Sequence, residues 1–203
     1  MARTKAKPEA DAFAEPVEGM MDLTVNANRI AANGGGNPYA ARNSIVVAEA
    51  KQRIRYKNGI TALPYSVLQL FADAERNVRH SDTLARNIKN QTGVAKPLGA
   101  ATHHIVACTE PLAAGSRAKI FGWGLGINDA DNGVYLPISR KSVVASLPTA
   151  TPHGPIHTEK YHLNVFARLR LVAATDPEAG RARLRAMKSE MVAGVFPYQR
   201  SQA

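Results

Sequence analysis

Five of the six histidines fall between residues 103 and 162, as an adjacent pair, His103-His104, a pair four apart, His153 and His157, and a fifth, His162. A fold that gathers them must return the chain near residue 155 against the chain near residue 104. On a strand, His103 and His104 point to opposite sides. On a helix, His153 and His157 share one face and converge on a single ion. Pro155 fits that placement, because proline is tolerated in a first helical turn. Asn132 sits at a turn between the two pairs.

These residue types suit phosphodiester hydrolysis. That reaction needs a nucleophile made from water, a cation to absorb charge on the phosphate, and stabilisation of the leaving oxygen. Neutral imidazole is both a metal ligand and a base near neutral pH. A base imidazole works best when its other nitrogen is held by a carbonyl. One histidine as base, three as ligands and an asparagine as orienter form a complete set. A His-His pair alone reads more readily as structural, and so does a His-x-x-x-His pair. It is the combination with Asn132 that shifts the balance. His162 is expected to pack or face solvent, and His80 to lie on the surface.

Charge points the same way. Lys and Arg number 26 against 16 Asp and Glu, a net charge of +10, which attracts polyanions or acidic proteins. Cys108 is the single cysteine, which excludes an intramolecular disulfide framework and a multi-cysteine zinc cage. It reads as a small buried residue. No apolar run approaches the ~20 residues of a membrane span, so no membrane insertion is expected. The start, MARTKAKPEADAF, has no apolar stretch behind its basic residues and does not read as a secretory signal.

Three regions follow from the pattern. Residues 1–38, with Pro8, Pro16, Pro38 and the glycine run from Asn33, read as a flexible segment with a short helix around 20–31. Residues 39–95 read as a helical region of unreadable role. Its first helix carries Ile45, Val46, Ala50 and Ile54 and stops at Asn58-Gly59. A second follows Pro64, with Val67, Leu68, Phe71 and Ala74 on one face, and a third ends at Thr92-Gly93. In residues 96–203, strands are expected at Thr102–Val106 and Val134–Leu136, the second after an Asn132-Gly133 turn. A short helix or turn is expected at Ser116–Phe121, and helices from near Pro155 burying Tyr161, Val165, Phe166 and Leu169, and from Asp176-Pro177 with Thr175 and Glu178 in capping-box spacing. The last carries Leu184, Met187 and Met191 inward and Arg181, Arg183, Arg185 and Lys188 mostly outward.

The segments ATHHIVA, LGINDADNGVYLP and HGPIHTEKYHLNVFARL together resemble the AHH clade of HNH/endonuclease VII-type toxin nucleases, in the family's order and over roughly 100 residues. Thr102 stands where the name-giving alanine would be. The resemblance implies an α+β protein in which a helical N-terminal region precedes a ββα-metal core with C-terminal helices. It implies His104 as general base, with Asn132 positioning it, and His103, His153 and His157 as ligands of one divalent ion (Mg, Mn, Zn or Ni). Arg117 and Lys119, between base and asparagine, are candidates for gripping phosphate or the leaving group. The function implied is a metal-dependent DNase toxin with an acidic immunity protein as partner. A secretion-system component or chaperone would deliver it, without a cleavable signal peptide, to a target cell's cytoplasm. The alternatives are a non-enzymatic, metal-stabilised DNA-binding or adaptor module, and an RNase of the same fold.

Overall fold

Asn58-Gly59, expected to stop a helix, instead turns a hairpin. Both residues have positive φ, 51° and 81°, as a two-residue turn matched to strand twist requires. The turn joins β1 (Tyr56–Lys57) to β2 (Ile60–Thr61). A side chain at position 59 would place Cβ 2.1 Å from the Asn87 carbonyl oxygen, so glycine is required twice over. The computed structural model describes residues 53–62 and 64–199. The expected helices around 20–31 and over Ile45 to Ala50, and the glycine joint at 33–38, lie outside the described residues.

Two helices follow. α1 (Val67–Ala74) begins at a capping box in which Ser66 and Gln69 satisfy each other's backbone N–H. It buries Leu70 and Ala74 and sets Phe71 edge-on against Phe121, 4.7 Å between ring centres. α2 (His80–Thr92) ends at left-handed Gly93. Its Leu84 and Ile88 pack with Ala100, Ala130, Tyr135 and Val144. Each such aliphatic side chain is worth about 1.5–3 kcal/mol on full burial. Residues 53–95 thus contribute to the same body as the rest: Ile54, Tyr65, Leu70 and Ala74 share a core with Ile105, Ile127, Tyr161 and Met191.

β3 (Ala100–His104) pairs antiparallel with β4 (Gly133–Pro137), Ala100 opposite Pro137 and His104 opposite Gly133. The strand lies two residues earlier than expected, so His104 ends it. α3 (Ala114–Gly122) lies between the strands in sequence. Asn132-Gly133 is not a hairpin turn. A 3₁₀ turn over Ala130–Asn132 leads into Gly133, whose φ of −128° is extended. There a Cβ would lie 2.6 Å from Leu84 Cδ1, so the glycine serves close helix–strand packing. α4 (Glu159–Leu169), capped by Thr158, starts later than expected, after a 3₁₀ turn at Gly154–Ile156. α5 (Pro177–Ala193) is capped by Asp176 rather than Thr175, and buries Leu184, Met187 and Met191 as expected. The whole is α+β, with strands β3 and β4 and helix α4 forming the ββα core. Among the described residues no helix is long and apolar enough to cross a membrane.

Candidate active site

Strand alternation separates the His103-His104 pair. His103 turns to the side where residues 153–161 lie, at 1% exposure. Its ring centre is 5.2 Å from that of His153 and 5.0 Å from that of His157. The Nε2 atoms of His153 and His157 are 3.3 Å apart, and the three imidazoles each offer a ligand atom within 4.8 Å of the others. The pair does not share an α-helical face. His153 and His157 instead flank the 3₁₀ turn Gly154–Ile156. The end of β4 carries that turn: His153 N donates to the Pro137 carbonyl at 2.7 Å and Gly154 N to that of Ile138 at 3.1 Å.

The hydrogen bonds of His103 determine which of its nitrogens is free. Tyr161, fully buried, gives its one hydroxyl proton to the Ile105 carbonyl at 2.8 Å. Its oxygen, 2.7 Å from His103 Nε2, must therefore accept, and Nε2 carries the proton. Nδ1 keeps its lone pair, and it is buried without a hydrogen-bond partner. An orphaned buried acceptor beside two further imidazoles is what a metal ligand looks like before the ion is counted. Burial, then repulsion from His157 and His153, holds His103 well below the usual imidazole range. Burial lowers His153 and His157 as well, with His157 adding to the effect on His153. Three neutral nitrogen donors fit a divalent transition ion. Tyr161, read from sequence as core alone, thus also orients the His103 ring; its apolar neighbours gave no hint of that.

On the other side of β3, His104 is half-buried, and its Nε2 lies 3.1 Å from Asn128 Oδ1. Burial pushes its pKa down to about 4, against a smaller upward pull from Asn128, so at neutral pH the ring is an uncharged base. Asn128 Nδ2 in turn lies 3.0 Å from Nδ1 of His80, whose Nε2 is 3.1 Å from the Arg76 carbonyl. Sequence reasoning missed Asn128 and set His80 aside as a surface residue. Asn132 has no hydrogen bond to the His104 imidazole. Fully buried, its Oδ1 accepts from Val106 N at 2.8 Å while Nδ2 donates to the carbonyls of Ile127 and Val106, and its own carbonyl accepts from Ile105 N. It pins the backbone just beyond His104.

Arg117 and Lys119 are committed to the scaffold. Arg117 donates to the carbonyls of Ala107 and Glu110, at 3.0 and 2.7 Å, and Lys119 to that of Val172 at 3.2 Å. His162 is buried against Tyr161, ring centres 5.1 Å apart, and stays outside the three-histidine cluster.

The loop carrying Asn128 and Asn132 is clamped from three directions. Asp129, wholly buried, accepts from the Thr61 amide and hydroxyl and from Arg181. Asp131 accepts from Gln91, Arg181 and Arg185, and these bonds outweigh its burial to hold it below the usual carboxylate range. Lys188 donates to the Ala130 carbonyl at 2.8 Å. Of the four cations expected to face outward on α5, only Arg183 is both exposed and free of a hydrogen bond or ion pair to the described residues. The family model described as "AHH: a nuclease family of the HNH/ENDO VII superfamily with conserved AHH" matches residues 84–191, just over half of the 203-residue chain. No curated protein and no solved structure matches the chain.

Proposed function

The chain belongs to the AHH nuclease family of the HNH/ENDO VII superfamily, and on that premise we propose a metal-dependent endonuclease that hydrolyses DNA with little sequence preference. The observation that carries the metal is the buried, partnerless Nδ1 of His103 beside the His153/His157 pair. These three side chains would hold the ion. When bound, it neutralises charge on the phosphate and stabilises the departing oxygen. His104, uncharged at neutral pH, accepts a proton from water as the water oxygen bonds to phosphorus and the P–O bond to the leaving group breaks. Asn128 steadies the ring, and Asn132 steadies the peptide units after it.

The cluster among the described residues numbers three side chains, as in catalytic sites that keep a position open, whereas structural zinc sites close with four. That favours an enzyme over a metal-stabilised adaptor. The net charge of +10 supports a sequence-independent grip on a phosphate backbone. It also supports the further reading of an antibacterial effector, delivered by a secretion machine or chaperone into a target cell's cytoplasm and neutralised by an acidic immunity protein.

Plasmid nicking with Mg, Mn, Zn, Ni or EDTA, wild type beside His104→Ala, tests the proposal. Wild type should cut only with a divalent ion, and His104→Ala should lose about 10²-fold or more in rate while staying folded. Undiminished cutting by the variant removes His104 as base. Stoichiometric metal without cleavage under any ion would restore the adaptor reading. Parallel digestion of total RNA separates DNase from RNase.

A further inference from the structure

The hydrogen bonds beside His104 run in only one consistent direction. A carbonyl oxygen can only accept, so His80 Nε2, 3.1 Å from the Arg76 carbonyl, donates. The amide nitrogen Nδ2 of Asn128 can only donate, so the other ring nitrogen of His80, Nδ1, holds a lone pair. That lone pair accepts from Asn128 Nδ2 at 3.0 Å. The Asn128 amide is thereby oriented with Oδ1 toward His104, where it accepts from Nε2–H at 3.1 Å. The lone pair of His104 is left on Nδ1, which has no hydrogen bond to any described residue.

We infer that the Arg76 carbonyl, His80 and Asn128 together fix the tautomer of His104, making Nδ1 the atom that takes the proton from water, and that His80 is a positioning residue for the reaction. This deepens the reading of His104 as base and rests on it. Asn128 suits the task because each of its polar groups is engaged. Its N–H donates to the Tyr56 hydroxyl at 3.3 Å, and its carbonyl accepts from Asn87 Nδ2 at 2.7 Å. These bonds fix its backbone to β1 and α2, and turning its side-chain amide would break the bonds to His104 and His80 together. His80 lies before residue 84, where the family match begins. The Arg76 carbonyl and His80 are therefore supplied by this chain's own N-terminal flank, while Asn128 lies within the matched residues.

The test uses the full chain with ¹⁵N-labelled histidine. In the metal-free wild type, the ring-nitrogen shifts of His104 should show a single neutral tautomer protonated at Nε2. His80→Ala should give a mixture of both tautomers, with kcat down about tenfold and KM and zinc affinity unchanged. His80→Gln, whose amide retains a donor and an acceptor, should restore one tautomer and most of kcat. That rescue separates positioning from a simple loss of packing. A wild-type His104 protonated at Nδ1 overturns the inference, as does a His80→Ala protein with one tautomer and wild-type kcat. If the wild type cleaves nothing while His104 is protonated at Nε2, the nuclease reading fails and takes His80's reaction role with it. If it cleaves with the proton on Nδ1, only the tautomer inference fails.

Discussion

Tyr161 gives its hydroxyl proton to Ile105 and accepts one from His103, so replacing it with phenylalanine removes two hydrogen bonds while preserving the ring's packing. The buried Nε2–H of His103 would be left unmet, at a cost of about 1–3 kcal/mol. Its ring would also be free to turn Nδ1 away from His153 and His157. Tyr161→Phe is expected to weaken zinc binding by about 10- to 100-fold, as read by calorimetric titration. An unchanged affinity would return Tyr161 to a purely packing role. At this scale the clustering of His103, His153 and His157 could be anticipated from sequence because adjacency and four-residue spacing are visible there. Asn128 and His80 could not. Within INDADN, nothing in the letters distinguishes an asparagine that holds a ring from one that holds a backbone. The link from His80 to Asn128 spans 48 positions, and only the fold closes it.

The clamp on residues 126–132 works at the level of elements. α5 reaches Asp129 and Asp131 through Arg181 and Arg185, while β2 supplies Thr61 and α2 supplies Gln91. Arg181 is itself largely buried, 13% exposed in its side chain against two carboxylates at 0% and 1%. Arg181→Ala should therefore strand buried charge and cost about 3–5 kcal/mol, measured by urea denaturation. A loss under about 1 kcal/mol would class the pair with ordinary surface bridges. Periodicity correctly placed Leu184, Met187 and Met191 inward, but it counts apolar residues only. It cannot see a carboxylate loop lying against the same helix, so the arginines looked solvated. The helix over His153 and His157 failed for a related reason. Four-residue spacing fits an α-helical face, and it equally fits two ends of a 3₁₀ turn pinned to β4 by the Pro137 and Ile138 carbonyls.

Across the whole molecule, the ββα core was legible because its three motifs carry it, whereas the role of residues 53–95 was not. In the structure β1, β2 and α2 contact the loop that carries Asn128 and Asn132. With a net charge of +10, binding of metal-free protein to a DNA fragment should weaken by about 10³-fold or more between roughly 50 and 200 mM salt. Fluorescence anisotropy would show this, and a flat salt response would mean the charge is not directed at phosphate. The ring proposed to bind the ion and the ring proposed to accept the proton hang from consecutive residues, His103 and His104, so one covalent peptide link, with α-carbons about 3.8 Å apart, acts as a ruler between them. A single residue inserted between the two rings would abolish it.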